Sequence, residues 1–86
     1  MKVFYAKSFY RAYRKLQIQN QQRASAALKI FLKDPFDTRL QNHKLAGSKY
    51  GLRAISAGYD LRILYEERGG HAVVLMITVG THGEVY

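Results

Sequence analysis

The chain contains no cysteine and a single proline in 86 residues. Without cysteine there is no disulfide, no thiolate nucleophile and no Cys-based zinc or iron–sulfur site. Small secreted domains usually carry disulfides, so the reducing cytoplasm is the expected compartment. Acidic residues are scarce, and none precedes Asp34. Long apolar runs are missing as well: the longest, Ala72 to Val79, is far short of the roughly 20 residues a membrane span requires. After Met1-Lys2 the next charge is Lys7, too soon for the apolar core of a signal peptide. Neither a secretion leader nor a membrane partner is expected.

What the chain has is positive charge. Fourteen Lys and Arg stand against six Asp and Glu, a net charge of +8. Lys2, Lys7, Arg11, Arg14, Lys15, Arg23, Lys29 and Lys33 all fall before the first acid. Such an imbalance implies a polyanionic partner, either nucleic acid or an acidic protein segment. A basic helix face that merely keeps the domain soluble is the other reading. At 48% hydrophobic the chain is too apolar to be disordered. Its length fits one domain over residues 1–86, with no linker or repeat.

The coarse elements follow from pattern. Lys2 to Ala6, with Val3, Phe4 and Tyr5, reads as a first strand. Ser8 is a candidate N-cap for a helix carrying Phe9, Tyr13 and Leu16 at helical spacing. From about Gln19 to Lys33, Ala24, Ala27, Leu28, Phe31 and Leu32 form one face of a second helix, which Asp34-Pro35 stops. Phe36 to Tyr50 reads as a loop. Leu52–Ala57, Leu61–Glu66 and Ala72–Val79 read as three further strands, and Gly80–Tyr86 as a tail. The last strand lacks alternation, so the sheet centre is its expected place, paired with the first strand. The expected fold is α+β, in the order β-α-α-β-β-β. A helical hairpin packs on one face of a mainly antiparallel four-stranded sheet, whose other face is left to solvent or a partner.

Few residues could do chemistry. His43 and His82 lie at strand ends, where a rigid scaffold presents functional groups. His71, directly after Gly69-Gly70, reads as a solvated hairpin residue. Asp60 sits in a strand-to-strand turn. No His pair has metal-site spacing, so neither metal nor cofactor is expected. There is no phosphate-binding glycine loop and no Gly-x-Ser-x-Gly nucleophile motif. The remaining set suits RNA cleavage by the adjacent 2′-OH, which needs a base, an acid and cations for the phosphorane. Histidine titrates near working pH, arginine offers a fork to phosphate, and an aromatic gives a base something to stack on. His43, His82, Arg53, Arg62 and Tyr86 supply these groups, with Lys44 and Lys49 as further phosphate contacts.

Three segments carry a resemblance: His43-Lys-Leu-Ala-Gly-Ser-Lys-Tyr-Gly-Leu-Arg53, Tyr59-Asp-Leu-Arg-Ile-Leu-Tyr65 and Ile77-Thr-Val-Gly-Thr-His-Gly-Glu-Val-Tyr86. Together they resemble the RelE/ParE toxin superfamily, above all the YafQ-like branch of its mRNA interferases. The closing Gly-Thr-His is the most specific part. The resemblance implies a RelE-like toxin of a type II toxin–antitoxin pair that cuts mRNA in the ribosome without a metal, inhibiting translation. It implies that His43, Asp60, His82 and Tyr86 are catalytic and that Arg62 steadies the phosphate. Ser56 stands where the YafQ-like branch has a further histidine, and Leu61 where it has a tryptophan.

The same resemblance implies its partners: a cognate antitoxin, the ribosome and mRNA, and operator DNA only through the antitoxin complex. Two other functions remain open on sequence. One is a ParE-like inhibitor of DNA gyrase with the same fold. The other is a member that binds RNA or the ribosome but has lost its chemistry, as Ser56 and Leu61 allow.

Overall fold

The computed structural model describes residues 1–86. The elements in chain order are β1 (Lys2–Tyr5), α1 (Lys7–Lys15), α2 (Ile18–Lys33), β2 (His43–Lys44), β3 (Arg53–Ser56), β4 (Leu61–Arg68), β5 (Val73–Thr81) and α3 (His82–Val85), with short 3-10 turns at Thr38–Leu40 and Gly47–Lys49. The sheet has five strands in the order β1-β5-β4-β3-β2. β1 runs parallel to β5 and every other pairing is antiparallel. The α+β architecture and the β1–β5 pairing agree with the sequence. The strand count does not: β2 lies inside the segment expected to be a loop, where two residues pair with β3 and show no sequence alternation. β4 rather than β5 is the central strand.

Alternation along β4 divides the sheet into two faces. Leu61, Ile63 and Tyr65 join Phe9, Ala24, Ala27 and Phe31 in the main core under the helices. Leu64 turns the other way, into a small cluster with Ala54 and Val85, flanked by Leu45 and Leu52. The second face is therefore partly covered, because the expected tail folds into α3 and seats Val85 on it. On α2 the stripe is narrower than expected: Ala24, Ala27 and Phe31 are buried but Leu32 is exposed. Tyr13 ties the two helices together, with its hydroxyl 3.0 Å from Ser25 Oγ and its carbonyl accepting from Gln21 Nε2 at 3.0 Å.

Ser8 does not cap α1; Ala6 holds that position. Between Leu64–Thr78 and Tyr65–Met76 the β4–β5 register skips Ile77, a β-bulge. The Ser8 hydroxyl donates to the Ile77 carbonyl, so the residue expected to start the helix instead bonds the bulged residue.

His71 departs furthest from expectation. Gly69, Gly70 and His71 all have positive φ in the turn between β4 and β5, which folds the imidazole back over the sheet rather than into solvent. Its side chain is only 10% exposed and stacks edge-on against Tyr65 and Phe36. Its Nε2 lies 2.7 Å from Tyr65 Oη, which also receives Asn42 Nδ2 at 2.6 Å. With Asn42 donating into the phenol oxygen, the phenol proton is free to go to His71 Nε2. The imidazole is then neutral, with its proton on Nδ1 toward Glu67.

Burial holds the His71 proton affinity below its ordinary value, partly offset by Glu67. The unfolded chain therefore binds this proton at higher pH than the folded one. The contribution to stability is full above about pH 6.5 and is lost as pH falls through the lowered value. The urea midpoint is expected to drop between about pH 7.5 and 5.5 in the wild type, and to drop less steeply in His71→Asn.

Candidate active site

The face of the sheet away from the helical hairpin carries a cleft of about 220 Å³, lined by Gln41, His43, Ser56, Arg62, His82 and Tyr86. Strand pairing explains this membership. Ser56 lies opposite Arg62, and His43 lies opposite Ala54, whose side chain belongs to the second face. α3 then brings His82 and Tyr86 to the same place from the end of β5.

Each group is held by the local chain. The His43 ring Nδ1 is 2.9 Å from the Gln41 carbonyl. A carbonyl only accepts, so Nδ1 carries the proton and Nε2 of the neutral ring is a bare lone pair. Gln41 offers that carbonyl from a left-handed backbone conformation, φ 50°, which is uncommon for a residue with a side chain. Arg62 Nη1 donates to the carbonyls of Leu61 at 3.0 Å and Gly58 at 3.3 Å, with Ser56 Oγ at 3.4 Å. The rest of the guanidinium has no partner within the chain and remains available to an anion.

His82 begins α3, and its backbone N–H donates to the Asp60 carbonyl at 3.0 Å. Its ring meets Tyr86 edge-to-face, centroids 4.4 Å apart. Burial raises the Tyr86 phenol above its ordinary value, and the Arg62 cation draws it partly back. The short helix is closed by a reciprocal cap, with Thr81 as N-cap and Glu84 Oε1 accepting from Thr81 N–H at 2.8 Å. Those bonds from Thr81 also lower the Glu84 carboxyl.

Of the residues picked from sequence, His43, Arg62, His82 and Tyr86 converge. Arg53 does not. It is three residues from Ser56, so alternation points it to the helix side. There its Nε donates to Asn42 Oδ1 at 2.8 Å and its guanidinium lies over Phe36. Lys44 pairs with Arg53 and lines a separate groove with it. Lys49 is half-buried on the Gly47–Lys49 turn, outside the cleft. Asp60 is exposed on the turn after β3 and reaches the cleft through its backbone bond to His82.

Gln41 is the cleft residue that sequence reading passed over, since nothing local marks its left-handed turn. Ser56 was noticed only as a departure from a family pattern. The alternation that sets Arg62 apart from Leu61 and Ile63 could have found it, because Ser56 is the partner of Arg62.

No family model and no curated protein matches the chain. Solved structures do. YafQ from E. coli strain BL21(DE3) superposes with a TM-score of 0.82 at 15% identity, covering 99% of this chain and 97% of that one. The chain has the RelE-like toxin fold. A YoeB/ParE toxin from Agrobacterium tumefaciens gives a TM-score of 0.74 at 16% identity, covering 95% and 99%. A chain of the E. coli DinJ–YafQ complex gives 0.69 at 19%, covering 99% and 97%. At these identities the likeness is one of fold.

Gly80 sits where β5 meets α3. A Cβ there would come within 3.1 Å of both Glu84 Oε1 and Val85 Cγ1. Gly80→Ala is therefore expected to push Glu84 out of its cap and loosen α3 while the sheet stays intact. Faster amide exchange confined to Thr81, whose N–H loses Glu84, and to residues 84–86 would check this, and unchanged exchange there would contradict it.

Proposed function

We propose that the protein is the toxin of a type II toxin–antitoxin pair and a ribosome-dependent endoribonuclease that cleaves mRNA. The observation that carries this reading is the cleft itself: two histidines, an anchored arginine and a phenol brought together on one face. The RelE-like fold, shared with toxins such as YafQ, supports it.

In the proposed reaction His43 Nε2 takes the proton of the 2′-OH, whose oxygen attacks the adjacent phosphorus. The bond from phosphorus to the 5′-oxygen breaks, and protonated His82 gives that oxygen its proton. The products are a 2′,3′-cyclic phosphate and a 5′-hydroxyl, with atoms and charge in balance. Arg62 binds the phosphoryl oxygens as negative charge develops. Tyr86, its phenol kept neutral, packs against the acid and offers a face for a base. Asp60 acts through its carbonyl, which fixes the start of α3.

The cleft supplies both proton transfers and a cation, and no carboxylate lines it. Cleavage is accordingly expected to persist when EDTA sequesters zinc and other transition metals while magnesium is kept in excess for the ribosomes.

His43→Ala and His82→Ala are each expected to slow single-turnover cleavage by about 10²- to 10⁴-fold, the usual worth of a positioned acid or base. Arg62→Ala should cost about 10²- to 10³-fold. Asp60→Asn, which keeps the main-chain bond to His82, should retain most activity. Primer extension in a cell-free translation reaction, with and without ribosomes, reads all four. A folded wild type that leaves mRNA intact would overturn the proposal, and inhibition of DNA gyrase by the same sample would replace it.

The antitoxin partner we propose is an acidic segment that covers the basic helices, since a chain of net charge +8 attracts polyanions. Its affinity should fall as salt rises, because exposed charges are screened beyond about 8–10 Å at physiological ionic strength. Titrations between low and high salt that give equal affinities would show that apolar burial carries the complex.

A further inference from the structure

Between the helices and the sheet lies a hydrogen-bond network that the cleavage chemistry does not touch. Tyr65 is completely buried, its ring edge-on to Phe31 with centroids 4.9 Å apart. Its hydroxyl receives Asn42 Nδ2 at 2.6 Å. The same Asn42 amide nitrogen donates to the Pro35 carbonyl at 2.8 Å, and its Oδ1 accepts Arg53 Nε at 2.8 Å. All three of these bonds tie Asn42 to separate parts of the chain: the end of α2, β3 and β4. Asn42 is also flanked by Gln41 and His43, both of which face the cleft on the opposite side of the sheet.

We infer that Asn42, held by Tyr65 and Arg53, is the positioning residue for His43. The path is short and covalent at its middle. Fixing the Asn42 side chain fixes the backbone on either side of it, and so the left-handed turn at Gln41. That turn aims the Gln41 carbonyl at His43 Nδ1, which keeps the proton there and leaves Nε2 free toward the cleft. The β2–β3 pairing is only two residues long, so the ladder alone gives this segment little hold. An Asn inside a fully bonded network supplies what the ladder lacks.

The inference rests on the proposed role of His43 as the base, and its test separates the two. Tyr65→Phe keeps the buried ring and removes only the hydroxyl; Asn42→Ala removes the hub. The first readout is independent of activity: the nitrogen-15 shifts of the His43 ring report which nitrogen is protonated. A single Nδ1–H tautomer is expected in the wild type and a mixture in both variants. The second readout is cleavage. Each variant should lower kcat by up to about 100-fold with little change in KM, the effect of misplacing a reacting group by about 1 Å. In a His43→Ala background either substitution should have no further effect, whereas in a His82→Ala background its full effect should remain.

An unchanged His43 tautomer in both folded variants would overturn the inference. So would an equal loss of activity in the two backgrounds, the mark of general destabilisation. If His43→Ala itself cleaved normally, the role of His43 as base would fall, while the tautomer measurement would still decide what Asn42 does.

Discussion

The structure turns on one buried hydroxyl. Tyr65 stands on the central strand with no exposed surface, in a core whose other buried side chains carry no hydroxyl, amide or charge. A phenol oxygen removed from water must find partners or cost on the order of 1–3 kcal/mol. Its partners come from two segments far apart in sequence, Asn42 from the loop after α2 and His71 from the turn after β4. Satisfying that one atom therefore closes both ends of the main core. Phe36 completes the closure by lying against His71 and beneath Arg53.

The period of two along each strand then assigns tasks to the two faces. Arg62 and Ser56 face the cleft, while Arg53, close by in sequence, faces the helices. Two arginines of the same sheet thus meet different fates. One is fastened through a single nitrogen and keeps the rest of its fork for an anion. The other spends its charge on a side-chain amide and an aromatic ring inside the protein. His43 and Lys44 divide in the same way, one to each face.

Much of this was legible in the sequence where periodicity is strong. The two helices and the split of Leu61, Ile63 and Tyr65 from Arg62 follow from spacing, and four of the five strands from runs of β-forming residues. The four convergent site residues were picked for their chemistry and for lying near strand ends. What was not legible depends on contacts distant in sequence. β2 is two residues of unremarkable composition that become a strand only because β3 lies beside them. His71 reads as solvated because Gly-Gly precedes it, and positive φ at three successive residues is what turns it inward. Arg53 was misplaced because its chemistry was weighed without its parity. Gly80–Tyr86 looked like a tail, since a helix of one turn has no periodicity to detect; only the reciprocal Thr81–Glu84 cap marks it.

The parallel pairing of β1 with β5 has a consequence for how the molecule comes into being. Lys2 lies beside Val73 and Tyr5 beside Met76, so β1 has no neighbour during synthesis until β5 has been made. Contacts so far apart in sequence are slow to form, because a long loop must close before they repay its lost entropy. The antiparallel β3–β4–β5 meander, joined by short turns, needs no such wait and offers the edge on which β1 later docks. The helical hairpin, carried on the connection that follows β1, is then drawn over the sheet as that last edge is sealed. A nascent chain still short of β5 has neither this edge nor the α3 wall, so the cleft exists only once β5 and α3 have been made.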